Sequence, residues 1–192
     1  MTRILLTLAS LAMILMIAAL VLGLSIGNLY DEPSTQTLHW ATVHRLTGVA
    51  AALAVVFVES VIVTYFIGTS RWCKEVVETY RLDPASVAAS NRLKRRTFPW
   101  ALGGMLGVVA VIALGAAADP GTGQPNTQDW ADVHLVGTLA GVLFIGWSFV
   151  VAWNNVAANH VIIQGIIAEV AHIRSERGLD DASAADRTPS VP

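Results

Sequence analysis

Two imidazoles in this chain are placed as if to do chemistry together. His44 closes the phrase Trp40-Ala41-Thr42-Val43-His44, and 90 residues later His134 closes Trp130-Ala131-Asp132-Val133-His134. Each phrase opens a long apolar run. Neutral imidazole binds metals through either ring nitrogen, so two of them carried to one height by equivalent helices can clamp a single centre. Arg45 follows the first histidine, whereas Leu135 follows the second. Glu59 is the one carboxylate inside an otherwise apolar stretch.

The elements that must position these groups follow from composition. With 54% hydrophobic and 14% charged residues and a mean hydropathy of +0.58, the 192 residues are too apolar to form a wet-surfaced domain. Four stretches, Ile4–Ile26, Leu46–Gly68, Trp100–Ala118 and Val133–Trp153, reach the roughly 20 helical residues that cross a bilayer core of about 30 Å. No alternating strand pattern accompanies them, so helices must satisfy the backbone in lipid. The expected fold is all-α, a polytopic membrane four-helix bundle. The first apolar run exceeds the roughly 7–15 residues of a secretion-signal core and reads as a retained helix. A single cysteine, Cys73, excludes an intrachain disulfide and a cysteine-built cluster within one chain.

Charge sets the expected orientation. The connection between the second and third spans carries seven basic residues from Arg71 to Arg96, whereas the outer connections carry Asp31 and Glu32, then Asp119, Asp129 and Asp132. Basic connections stay on the cytoplasmic side. The chain is therefore expected in a bacterial inner membrane with both termini cytoplasmic and both repeated histidines near the periplasmic face. The run Arg92-Leu93-Lys94-Arg95-Arg96 fits lipid headgroups or topological retention. It lacks the recognition helix and aromatic surface of a nucleic-acid binder.

The repeated phrase implies a two-fold internal duplication, with units at about 4–68 and 99–160 joined by a cytoplasmic segment 69–98. Residues 1–178 read as one domain, and 179–192 as a flexible cytoplasmic tail. The second and fourth helices should continue past the membrane, to about Asp83-Pro84 and Gly178. Gly23 and Gly27, Gly103 and Gly107, and Gly137 and Gly141 are each four apart, giving flat faces for helix packing or for a flat cofactor.

Gly48, Ala51 and Ala52 lie broadly below His44 on one stripe, and Gly137, Thr138 and Gly141 below His134. A porphyrin between two helices needs an imidazole from each side and little bulk beside it. The residues thus permit one haem b with His44 and His134 as axial ligands and Arg45 on a propionate. Structural hydrogen bonding and another metal or redox centre remain open for the same histidines. Arg45 would equally snorkel to water. Glu59, about 22 Å along the helix from His44, is a candidate proton or quinone contact, or a packing hydrogen bond. His160, about 39 Å from His134 along one helix, cannot share that centre.

The His44-Arg45 pair at a helix mouth, the duplicated two-helix unit and the facing histidines resemble di-histidine membrane cytochrome b proteins and, in part, the haem A synthase group. The resemblance covers two short motifs and a topology. It implies a membrane electron-transfer subunit working with other membrane redox subunits or a periplasmic electron carrier. Four spans are fewer than the eight of haem A synthases, and the glutamate motif expected before their histidines is absent, which argues against haem A synthesis. The rival readings are a cofactor-free accessory or assembly subunit and a transporter or channel component.

Overall fold

A computed structural model describes residues 1–178; the tail expected at 179–192 lies outside the described residues. Four helices make up nearly all of it, with no strand among the described residues: α1 Thr2–Ser25, α2 Thr35–Tyr80, α3 Ala85–Ala118 and α4 Ala131–Glu176. Two short 3-10 turns, Pro120–Thr122 and Thr127–Trp130, lead into α4. All four helices are long and apolar enough to span a membrane, and at most 33% of any of their apolar windows is buried by protein. Lipid must cover the rest, and the chain is a multi-pass membrane protein.

The bundle closes as a square. α1 packs against α2 and α4, α3 packs against the same two, and α2 also touches α4 across the diagonal. Val55, Ile62, Phe66, Val108 and Ile145 fill the centre with Ala12 and Met16 of α1. The α1 helix contributes nothing to the core at the basic end, so that part of the molecule is a three-helix extension. Cys73, Val77, Leu82 and Ile166 form its own small core.

Local chemistry explains where the helices stop. The Ser34 hydroxyl accepts from the Thr37 amide at 3.1 Å and caps α2. At the other end Arg81 adopts a left-handed conformation (φ 58°), and the Leu82 amide donates back to the Val77 carbonyl at 3.0 Å while the Leu82 side chain packs into the extension core. This is the hydrogen-bonded C-terminal motif that a hydrophobic contact usually completes. The Asp83 carboxylate then accepts from the Ala85 amide at 2.8 Å and starts α3.

As a result α3 begins 15 residues before Trp100, and the segment expected to join the two halves is helical up to a short turn. Pro99 sits inside α3, where its missing N–H forfeits one backbone bond. Apolarity located only the membrane-spanning part of this helix.

Cys73 is fully enclosed in the extension, and burial pushes its thiol up from the ordinary value. Both effects remove the reactive thiolate. The folded protein should resist alkylation at neutral pH and label stoichiometrically only after denaturation, as read by intact mass. Rapid labelling of the native protein would contradict the packing of α2 against α3 and α4 in this region.

Candidate functional site

The bundle brings the two repeated histidines together at its acidic end. The ring centroids of His44 and His134 lie 6.4 Å apart with their planes inclined by 72°. Both rings are half-buried, α2 supplying one and α4 the other across the diagonal.

Each ring rests on a glycine of the odd-numbered helix of its own half. A methyl group on Gly23 would come within 2.9 Å of His44 Cε1, and one on Gly115 within 3.0 Å of His134 Cε1. Only glycine leaves these positions open. His44 Nδ1 is 2.9 Å from the Ala19 carbonyl, four residues before Gly23. Val111, four residues before Gly115, is the corresponding backbone neighbour of His134, but His134 Nδ1 is buried without a geometrically satisfactory partner. The two halves thus share the contact of imidazole on glycine, while the carbonyl hydrogen bond is formed at His44 and not at His134. The glycines are 92 residues apart and the histidines 90.

Thr138 Oγ1, one helical turn below His134, is likewise buried without a partner. On the other helix Gly48, one turn below His44, faces open space: a methyl group there would meet nothing within 4 Å. Two buried polar atoms without a protein partner, His134 Nδ1 and Thr138 Oγ1, thus lie one turn apart on α4.

Arg45 does not simply reach for water. Its guanidinium bonds Asp119, at the C-terminal end of α3, at 2.8 Å, and its Nε donates to the Ala41 carbonyl at 3.3 Å. Nearby, the Tyr30 hydroxyl donates to the Ala118 carbonyl at 2.9 Å. Together these contacts tie the acidic loops of the two halves above the histidines. Burial, with a smaller contribution from Asp119, raises the Tyr30 phenol above its ordinary value. The neutral phenol is the form that donates. Its contribution to stability is complete below the unfolded value of about 10 and is lost as pH rises through the higher folded value. Thermal unfolding scans should show a fall above about pH 10 that a Tyr30→Phe variant lacks.

The glycine pairs read as cofactor or packing faces divide. Gly103 and Gly107 lie against the Phe144 ring, Gly137 against Leu114 and Gly141 against Val111, all helix-packing contacts. Gly27 meets only Thr37, and Gly23 alone among the six touches a candidate ligand. Gly115 and Gly104, outside those pairs, are the glycines that touch His134 and Glu59. The other histidines stay away from the pair: His39 stacks edge-on against Trp40, His160 is exposed, and His172 lies 3.5 Å from Glu176 on its own helix.

No protein-family model, curated protein or solved structure matches this chain. The chemistry must be read from the geometry alone.

Glu59 lies deeper in the bundle and is 0% exposed. The Ser148 hydroxyl donates to its Oε1 at 2.7 Å, while Oε2 has no protein partner. Gly104 of α3 presses on the carboxyl so closely that any side chain there would collide with Oε1. Ser148 is the hydroxyl that reaches it, whereas Ser60 and Thr7 bond their own helix backbones.

Proposed function

We propose that this protein is a membrane electron-transfer subunit that holds one haem b between His44 and His134. The observation that carries the reading is the 6.4 Å separation of the two rings. Two metal–nitrogen bonds of about 2 Å, each extended by about 1 Å from nitrogen to ring centre, require a separation of about 6 Å. The inclination of the rings is no obstacle, because imidazoles on a common axis can rotate about it independently. Among the described residues no group of three or more His, Cys, Asp or Glu side chains converges. A bare zinc ion would need such a group; an iron carried in a porphyrin brings four of its six donors with it.

The chain's own residues supply the rest. His44 engages the Ala19 carbonyl through Nδ1 and so presents Nε2, the arrangement that fixes the tautomer and orientation of metal-bound histidines. Gly23 and Gly115 let each ring sit flush on its neighbouring helix. Arg45, held by Asp119, would supply the cationic partner for a propionate. Haem would supply reversible one-electron chemistry.

The basic extension fits the cytoplasmic side of a bacterial inner membrane, with both termini there and the haem site near the periplasmic face. Asp31, Glu32, Asp119, Asp129 and Asp132 give that face a negative field suited to a positively charged electron carrier or to another redox subunit. Gentle extraction followed by visible spectroscopy and porphyrin analysis tests the proposal. About one haem per chain with a reduced Soret and α band is expected. Protein that is purified folded, and neither contains haem nor takes it up on titration, would leave the cofactor-free accessory reading in its place.

A further inference from the structure

Glu59 has no role in the proposed haem site, and its surroundings are unusual enough to be considered apart. Ionised carboxylates are costly inside a membrane protein unless a cation or several donors compensate. Among the described residues no cation is paired with Glu59. The facing elements present uncharged groups: Gly104 from α3 and Ser148 from α4. The only ionisable side chain on α1 is Arg3, at its inner end. One donated hydrogen bond on Oε1 and none on Oε2 suits a carboxylic acid, not a carboxylate.

Buried polar groups recur from Glu59 toward the basic end. Seven residues along both α3 and α4, about 10 Å at 1.5 Å per residue, Asn155 donates to the Thr97 hydroxyl at 2.9 Å. One turn farther along α4, Asn159 accepts from Ser90 at 2.8 Å and donates to Tyr65 at 3.2 Å and Thr69 at 3.1 Å. Between the first two layers stand the small residues Ala101 and Ala152, and Ile62. Toward the acidic end Val55, Val108 and Ile145, each no more than 3% exposed, close the bundle with apolar bulk.

We propose that Glu59 is a proton-binding site connected to the basic end of the bundle through the Asn155–Thr97 and Asn159–Tyr65–Thr69–Ser90 layers. The O–H bond of the acid breaks, the proton passes to water admitted beside Ala101 and Ala152, and the hydroxyls of the two layers hand it to the aqueous phase beyond. Return of a proton restores the acid, so charge balances over the cycle. The asparagines orient the hydroxyls. Full enclosure of the carboxyl favours exchange of a proton over contact with a quinone. This inference does not depend on haem being bound.

Infrared spectroscopy of the full chain in lipid at pH 7 provides the test. The native protein should show the carbonyl stretch of a protonated carboxylic acid that Glu59→Gln abolishes. Ser148→Ala should move this band to higher frequency, because the carbonyl loses an accepted hydrogen bond. In heavy water, Asn155→Leu and Asn159→Leu should each slow the deuterium shift of the band by about tenfold, the rate equivalent of roughly one lost hydrogen bond. Thr47→Val, on the acidic side, where the hydroxyl only donates to the Val43 carbonyl of its own helix, should leave the exchange rate unchanged. Two asparagine variants guard against one failing to fold. Absence of a band sensitive to Glu59→Gln overturns the proton site. Exchange that ignores both asparagines, or slows in Thr47→Val, overturns the route.

Discussion

Replacing either His44 or His134 with alanine should lower haem affinity by more than about 100-fold, beyond what loss of an outer-shell partner alone costs. Each imidazole reaches the site from a different helix, their 6.4 Å separation leaves space for one shared metal, and among the described residues no third His, Cys, Asp or Glu converges with them. The single variants should therefore lose the six-coordinate spectrum, and the double variant should purify without haem. His39→Ala and His160→Ala, away from the pair, should keep the native spectrum. A cofactor-free protein would respond differently. There His44→Ala would remove only the Ala19 hydrogen bond, worth about 0.5–1.5 kcal/mol of stability. Haem titration monitored by visible absorption, alongside thermal unfolding, separates the two cases. Unchanged ligation in both single variants would refute the assignment.

The second large effect should come from Gly23→Val and Gly115→Val. A single carbon at either position already approaches the histidine Cε1 to about 3 Å, so a branched side chain must push the ring off its helix. A shift of that size exceeds the tolerance of a ligand site, roughly 0.5 Å. Both variants should retain helical circular dichroism, since valine is tolerated better than glycine in a helix interior, yet lose haem or keep it with one axial ligand. Gly165→Ala, where an added methyl group meets nothing within 4 Å, should bind as the native protein does. Haem retained with intact bis-imidazole ligation in Gly23→Val and Gly115→Val would show that ring placement does not depend on these glycines.

These two experiments probe information of different origin. The histidines can be found in the sequence because the phrase Trp-Ala-x-Val-His occurs twice, each time at the opening of an apolar run. Gly115 cannot be found that way. Its relation to Gly23 runs at a spacing of 92 residues, two more than the histidines, so it depends on how far α3 slides along α4. The carboxylate that holds Arg45 is equally hidden: Asp119 is 74 residues away and belongs to the other half. Ser148 stands among several hydroxyls within reach of Glu59 in principle, and only the rotation of α4 selects it.

The sequence by itself determined that the chain forms four long helices in a membrane, because helical hydrogen bonds are local and twenty apolar residues in a row admit few other structures. It also determined which end of the bundle is basic. The tertiary structure alone decided that the histidines face each other, that Asp119 closes the mouth above them, and that Glu59 looks inward to Ser148 and Gly104. The physical reason lies in lipid itself. Where hydrocarbon covers one side of every helix, an apolar pattern cannot mark the inward face, and the rotation of each helix is set by small residues and buried polar contacts that only packing brings together.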